Sequence, residues 1–192
     1  MARRARALDG PCPPAPRLFA FTDPDRTPDP ETLARALPAG TGLVLRTFGR
    51  SDLQAAAFTL AEIAVERGLA LLIAAEPELA SRCGAAGVHW PQARIGAAAR
   101  WRRRFALMSA SAHDPAVARR AAMICDLVFV SSAFASASPS AGRPLGPFRL
   151  AAYARRTPAP VYALGGVNAR TASRLRGLGL AGLAAIEGLS NV

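Results

Sequence analysis

The residues able to do chemistry recur along this chain of 192 residues at the ends of short apolar runs. The run Ala159-Pro160-Val161-Tyr162-Ala163-Leu164 meets Gly165-Gly166, then Val167-Asn168 and a stretch that reads as helix to about Arg176. A strand, a bare backbone turn and a helix start gather N–H groups at one place, and such groups suit an anion. Two glycines also let the backbone come close to a ligand, because no Cβ intervenes. Read alone, the pair serves equally as a tight strand-to-helix turn. His89 and His113 are the only histidines, the side-chain type that exchanges protons near neutral pH. Thr22-Asp23, Arg46, Glu76, Gln92, Ser109, Ser111, Ser131-Ser132 and Glu187 supply the other polar groups at run ends. Together these types suggest a site that holds a small phosphorylated anion and moves a proton.

Eight apolar runs must position these groups. Strands are expected at Leu18–Thr22, Gly42–Arg46, Leu69–Ala74, Gly87–His89, Phe105–Met108, Asp126–Val130, Ala159–Leu164 and Ala181–Ile186. Helices are expected between them: Pro30–Leu37 behind Asp29 as N-cap, Asp52–Arg67 closed by Gly68, Glu78–Cys83 closed by Gly84, Ala97–Arg104, Asp114–Met123 and Pro147–Arg156. Ser131–Gly146 reads as a long Ser/Ala/Pro loop. Strands alternating with helices imply a parallel sheet, and eight such units imply a closed TIM (β/α)8 barrel. It is compact, since such barrels usually run to ~250 residues. Val192 lies six residues past Ile186, so a short or missing final helix is expected. Residues 1–16 are rich in Arg and Pro and are expected to be a disordered extension; residues 17–192 form the single barrel domain. In this fold the C-terminal ends of the strands carry the site, and the loops after strands seven and eight commonly hold phosphate. Gly165-Gly166 follows strand seven.

Composition narrows the function classes. No apolar run is long enough to span a bilayer, and the basic start Met1–Arg6 is followed by prolines rather than a secretory apolar region. A cytoplasmic protein with no membrane partner is expected. Cys12, Cys83 and Cys125 are widely spaced and make neither a disulfide framework nor a CxxC metal motif. The net charge is +11, and all 24 basic residues are Arg. The cluster Arg100-Trp101-Arg102-Arg103-Arg104 could stack on nucleic acid, but no nucleic-acid-binding signature accompanies it. A small phosphorylated substrate suits the charge equally, and nucleic acid is not the expected partner. A homo-oligomer is an arrangement the sequence leaves open.

The motifs Leu18-Phe19-Ala20-Phe21-Thr22-Asp23, Gly84-Ala85-Ala86-Gly87-Val88-His89 with Gln92, Ser111-Ala112-His113, Asp126 with Phe134 and Ser136, Pro160–Gly166 and Gly182–Ile186 occur in this order. In that order they resemble the thiamine-phosphate synthase/TenI-like family, from Arg17 to about Leu189. The resemblance implies a TIM barrel in thiamine biosynthesis. Synthases of this family couple a pyrimidine pyrophosphate to a thiazole phosphate with Mg²⁺; TenI-like members isomerise the thiazole phosphate without metal. It implies ligand or phosphate contacts at Arg46, Ser111, Ser136, Gly165, Gly166, Ile186 and Glu187, an acid/base role for His113, and a structural hydrogen-bonding role for His89.

Departures from the family pattern are concentrated in one half of the site. Where the resemblance implies Mg²⁺ ligands stand Ala74-Ala75-Glu76 and Arg94, and Ala and Arg cannot bind Mg²⁺. Val44 and Phe48 replace pyrophosphate-holding residues, Pro139 replaces a loop lysine, and Glu187 replaces a serine of the phosphate turn. The expectation is therefore no metal cofactor, although Mg²⁺ is expected for the family. It is also metal-free thiazole tautomerase chemistry rather than coupling. The alternative is a catalytically inactive, phosphate-binding or regulatory barrel.

Overall fold

The structure is a computed structural model that describes residues 1–12, 14–27, 29–136 and 142–186. Eight parallel strands close into one barrel in sequence order: β1 Leu18–Phe21, β2 Gly42–Leu45, β3 Ala70–Ala74, β4 Gly87–Trp90, β5 Leu107–Ala112, β6 Leu127–Val130, β7 Val161–Ala163 and β8 Gly182–Ala185. Their side chains alternate with the period of two that a strand imposes. Outward residues such as Leu18, Ala20, Val88, Val128 and Val130 pack under the helices. Inward residues Phe19, Phe21, Val44, Leu72, Phe129 and Tyr162 fill the barrel. Phe129 is the hub of that interior, edge-to-face with Phe19 at 5.1 Å, Phe21 at 5.0 Å and Tyr162 at 5.4 Å between ring centroids. The lower rings are paid for in space by their strand neighbours. Gly42 pairs with Phe19 and Gly182 with Tyr162, and a Cβ on either glycine would lie 2.0–2.1 Å from the ring beside it.

The helices are α1 Ala2–Arg6, α2 Pro30–Ala36, α3 Ser51–Arg67, α4 Pro77–Cys83, α5 Ile95–Ala98, α6 Pro115–Ala122 and α7 Gly146–Arg156. Asp29 caps α2 by accepting from the Glu31 and Thr32 N–H groups, with Pro30 at the first helical position. Asp114 caps α6 through the Val117 N–H. Gly68 and Gly84 close α3 and α4 in the left-handed conformation.

Four local expectations are corrected. The fifth strand runs two residues later and longer than Phe105–Met108, because Phe105 stacks outside the barrel near Trp101 and Ser109 and Ser111 continue the strand facing inward. Residues 97–104 do not form one helix: α5 is a single turn between 3-10 turns. No side chain caps it at Arg94, and four arginines crowd its exit. After Gly165-Gly166 comes only a 3-10 turn, Thr171–Leu175. Asn168 Oδ1 accepts from the Arg170 and Thr171 N–H groups, which ties the chain into a local turn instead of a helix. The expected eighth-helix region and Glu187 lie outside the described residues.

The fourth correction concerns the N-terminus, expected to be a loose extension. Met1–Cys12 instead contains α1 and packs across the end of the barrel where the strands begin. Ala5 and Leu8 are buried there. Arg17 Nη1 donates to the Leu8 carbonyl at 2.9 Å, and the Gly10 N–H donates to the Leu180 carbonyl at 3.0 Å. Arg and Pro dominate the composition and conceal the two small apolar anchors. Replacing Arg17 with Ala should destabilise the protein by about 1–3 kcal/mol, the cost of leaving part-buried acceptors without a charged donor. Amide exchange at Ala5–Gly10 should speed up more than in the strands; equal protection in both proteins would show that Arg17 does not hold this segment.

Candidate functional site

A cavity of about 260 Å³ opens where the strands end. Arg46, Ser111, His113, Ser136, Gly165 and Ile186 all line it, six of the eight residues expected at the site. Gly166 lies behind Gly165 and outside the lining, and Glu187 is outside the described residues. His89, Phe21, Gln92 and Ser131-Ser132 complete the walls used below.

The floor follows from the barrel packing. His89 points inward from β4, buried against Phe21 and Phe129 at 5.0 and 5.5 Å between ring centroids. Its Nδ1 lies 3.0 Å from Ser109 Oγ and its Nε2 2.9 Å from Ser111 Oγ. Burial, with a smaller contribution from the Arg46 charge, pushes its pKa down to about 3, so the folded ring is neutral. A neutral imidazole between two hydroxyls orients Ser111 toward the cavity but is a poor base. Geometrically, Ser111 and His89 resemble a nucleophile–base pair, and this depressed basicity argues against that use.

The same shift has a consequence for stability. Unfolded, His89 protonates near 6.5; folded, it stays neutral down to about 3, so the unfolded state gains the extra proton and stability falls as pH falls through that window. About 2 kcal/mol should be lost between pH 7.5 and pH 5 from this group, at 1.36 kcal/mol per pKa unit. Urea unfolding at both pH values should show the loss in the natural protein and a smaller loss in His89→Gln. Equal losses would assign the acid sensitivity elsewhere.

Arg46 follows β2 and turns back on β1. Its Nε donates to the Thr22 carbonyl at 2.6 Å, its Nη2 to Asp23 Oδ2 at 2.9 Å, and its guanidinium lies 5.3 Å from the centre of the Phe48 ring. Burial would raise the Asp23 pKa, but the Arg26 hydrogen bond and the charges of Arg26 and Arg46 outweigh it and hold the carboxyl below its ordinary value. Arg46 therefore reaches the cavity paired with a carboxylate that it shares with Arg26. Asp23 as its partner was not legible in the sequence; Phe48, held at a positive φ of 52°, was named only as a replacement and not as a ring beside the Arg46 guanidinium.

His113 is held from three sides on the wall of the cavity. Its N–H donates to Gln92 Oε1 at 2.7 Å, its carbonyl accepts from Tyr153 Oη–H at 3.3 Å, and its ring Nδ1 lies 3.2 Å from the Ser131 carbonyl and 3.1 Å from Ser131 Oγ. With Nδ1–H donating to the Ser131 carbonyl, Nε2 is the acceptor that a general base needs; with the Ser131 hydroxyl donating to Nδ1, the roles of the two nitrogens reverse.

At the Gly165-Gly166 turn the carbonyls, rather than the N–H groups, are engaged. The Leu164 and Gly165 carbonyls accept from the Ala133 and Phe134 N–H groups, and the Gly166 carbonyl accepts from Thr171 Oγ1. Within a planar trans peptide the N–H opposes the C=O. The Gly165 and Gly166 N–H groups therefore face away from the Ala133–Phe134 loop, and they have no hydrogen-bond partner among the described residues. Both glycines have positive φ, 89° and 63°. A Cβ on Gly166 would lie 2.3 Å from the Ala135 carbonyl oxygen.

The residues at the implied Mg²⁺ positions do not fit the ion. Glu76 is the one carboxylate there, and Thr47 Oγ1 and Gln54 Nε2 each hold one of its oxygens. Arg94 Nη1 donates to the Ala75 carbonyl at 3.2 Å, so a cation stands where a ligand would be needed. No group of three or more His, Cys, Asp or Glu able to hold a metal occurs among the described residues.

Fold and site define a TIM barrel with a small polar cavity at the C-terminal face of its strands. The chain belongs to the thiamine monophosphate synthase family, whose sequence model matches residues 18–189. Its fold is similar to thiamine phosphate pyrophosphorylase from Pyrococcus furiosus, with TM-score 0.73 at 20% identity over 96% of this chain and 87% of that one. It is also similar to thiamine phosphate pyrophosphorylase from Bacteroides thetaiotaomicron, with TM-score 0.53 at 14% identity over 89% and 82% of the two chains. FabK from Thermotoga maritima matches with TM-score 0.70 at 15% identity over 97% of this chain and 61% of that one. At such identities the likeness is one of fold. Among curated protein sequences none matches significantly.

Proposed function

We propose that this member of the family binds a thiazole phosphate in the cavity and isomerises it without a metal. The observation that carries the reading is His113 on the wall of the cavity that Gly165 and Ser136 also line, its Nδ1 within hydrogen-bond reach of the Ser131 carbonyl; in the tautomer that donates there, Nε2 is the proton acceptor. The phosphate is taken by the Gly165-Gly166 N–H groups with Ser136, and Arg46, paired with Asp23, adds a charge beyond them. Tautomerisation removes a proton from one carbon of the ligand and returns one to another. There is no leaving group and no net electron transfer, so His113 alternating as base and acid closes the balance. Coupling to a pyrimidine pyrophosphate needs stabilisation of the departing pyrophosphate, and Ala75, Glu76 and Arg94 offer none of the metal ligation the family uses for it.

Calorimetric titration with thiazole phosphate, with EDTA and then with Mg²⁺, tests the binding half. The expected result is the same affinity in both; affinity that appears only with Mg²⁺ would overturn the metal-free reading. A second reading, a non-catalytic phosphate-binding barrel, is favoured by Arg46, whose Nε and Nη2 are already committed to the Thr22 carbonyl and Asp23. It predicts the same titration with no turnover. We place the protein in the cytoplasm, where its free cysteines at 12, 83 and 125 stay reduced. Among the described residues, no helix is long and apolar enough to cross a membrane.

A further inference from the structure

Outside the cavity, α6 and α7 diverge to leave a groove of about 820 Å³, three times the cavity's volume. Its apolar surface comes from Pro115, Leu145, Ala152 and the ring of Tyr153. Three guanidiniums border it, Arg119 from α6 and Arg149 and Arg156 from α7. None of the three has a hydrogen-bond or ion-pair partner among the described residues, whereas Arg17, Arg35, Arg46, Arg50 and Arg94 all have one. The one carboxylate in the lining, Asp114, is committed to capping α6 through the Val117 N–H at 2.9 Å. Three arginines against the single carboxylate of Asp114 leave the rim net positive, and an apolar bed with such a rim is complementary to a molecule with an apolar body and a negative end. Its volume lies within the 300–1,000 Å³ typical of small-molecule sites.

We propose that the α6–α7 groove is a second binding site, distinct from the cavity, for a small soluble aromatic or branched-aliphatic anion whose charged group is held by Arg119, Arg149 and Arg156. The site is coupled by contact to the first. His113 lines both the groove and the cavity, and Tyr153, in the groove wall, donates its hydroxyl to the His113 carbonyl. An occupant therefore packs against the residue that clamps His113 from behind. The inference stands on the groove's own residues and does not depend on which reaction the cavity performs.

The test uses 8-anilinonaphthalene-1-sulfonate, an aromatic anion whose fluorescence rises on apolar contact, with uncharged N-phenyl-1-naphthylamine as its counterpart. The full chain should bind the anion at one saturable site, and the uncharged analogue at least tenfold more weakly. Arg149→Gln with Arg156→Gln should weaken the anion at least tenfold, with the far-ultraviolet circular dichroism unchanged. Ala152→Trp fills the bed without altering charge and should abolish saturation, which keeps the test decisive should the double variant fold poorly. Arg102→Gln with Arg103→Gln, removing charges from the exposed cluster at the other end of the barrel, should leave binding as it was. Equal weakening by that control, equal affinity for the uncharged probe, or saturation that survives Ala152→Trp would overturn the proposal.

Discussion

Replacing His113 with Ala should lower the isomerisation rate roughly 10²- to 10⁴-fold, the range a positioned general acid–base contributes, with thiazole phosphate still bound. The separation follows from the geometry. The anion contacts are assigned to backbone and hydroxyl groups at Gly165, Gly166 and Ser136, whereas the proton is assigned to His113 Nε2. His113→Gln keeps polarity and volume but cannot carry the proton, so it should be as slow as Ala. Gln92→Ala and Tyr153→Phe touch only the backbone of His113. As positioning residues they should lower kcat less, about tenfold, and Tyr153→Phe, whose side chain is outside the cavity lining, should leave the binding constant alone. Turnover measured against concentration separates the two effects. A His113→Ala protein that retains its rate would remove His113 from the chemistry.

Gly166→Ala should cost about 2–4 kcal/mol of stability and most of the phosphate affinity. At φ 63° an L-residue pays about 1–2 kcal/mol. The new methyl would also stand 2.3 Å from the Ala135 carbonyl oxygen and 2.9 Å from the Phe134 carbonyl carbon, both backbone atoms that do not rotate aside. Relief requires pushing the loop after β6 away from the turn, which strains the Ala133–Leu164 and Phe134–Gly165 hydrogen bonds and turns the peptide N–H groups. At Gly165 a Cβ meets Ser132 only at 3.2 Å or beyond, so Gly165→Ala should be the milder change. Denaturant midpoints for both variants check the order; a Gly166→Ala protein as stable as the natural one would mean the turn adapts freely.

The barrel was legible because apolar runs alternated with capped helices at every step; Asp29, Asp114, Gly68 and Gly84 stop or start their helices as their side chains or lack of them dictate. Legibility failed where polarity and secondary structure part company. Ser109 and Ser111 are polar yet continue β5, since inward positions near a barrel mouth accept hydroxyls that can reach His89. Ala5 and Leu8 are too few and too small to advertise burial in an Arg/Pro-rich stretch. Of the site, Arg46, Ser111, His113, Ser136, Gly165 and Ile186 were named through the family resemblance, and they line one cavity because the strands of this fold all end on the same face. Pairings between elements were beyond the sequence: Arg46 with Asp23, His113 with Ser131 and Tyr153, Arg94 with the Ala75 carbonyl. Each joins residues whose meeting depends on the register of separate strands and loops.

Metal-free proton transfer is tested most directly by solvent exchange. The natural protein is incubated with thiazole phosphate in D₂O containing EDTA, and the ligand is followed by proton NMR. The account predicts conversion to the isomer with one solvent deuteron at the newly protonated carbon, at a rate that added Mg²⁺ leaves unchanged. Ligand that binds yet stays unconverted, or conversion that begins only when Mg²⁺ is supplied, would contradict it.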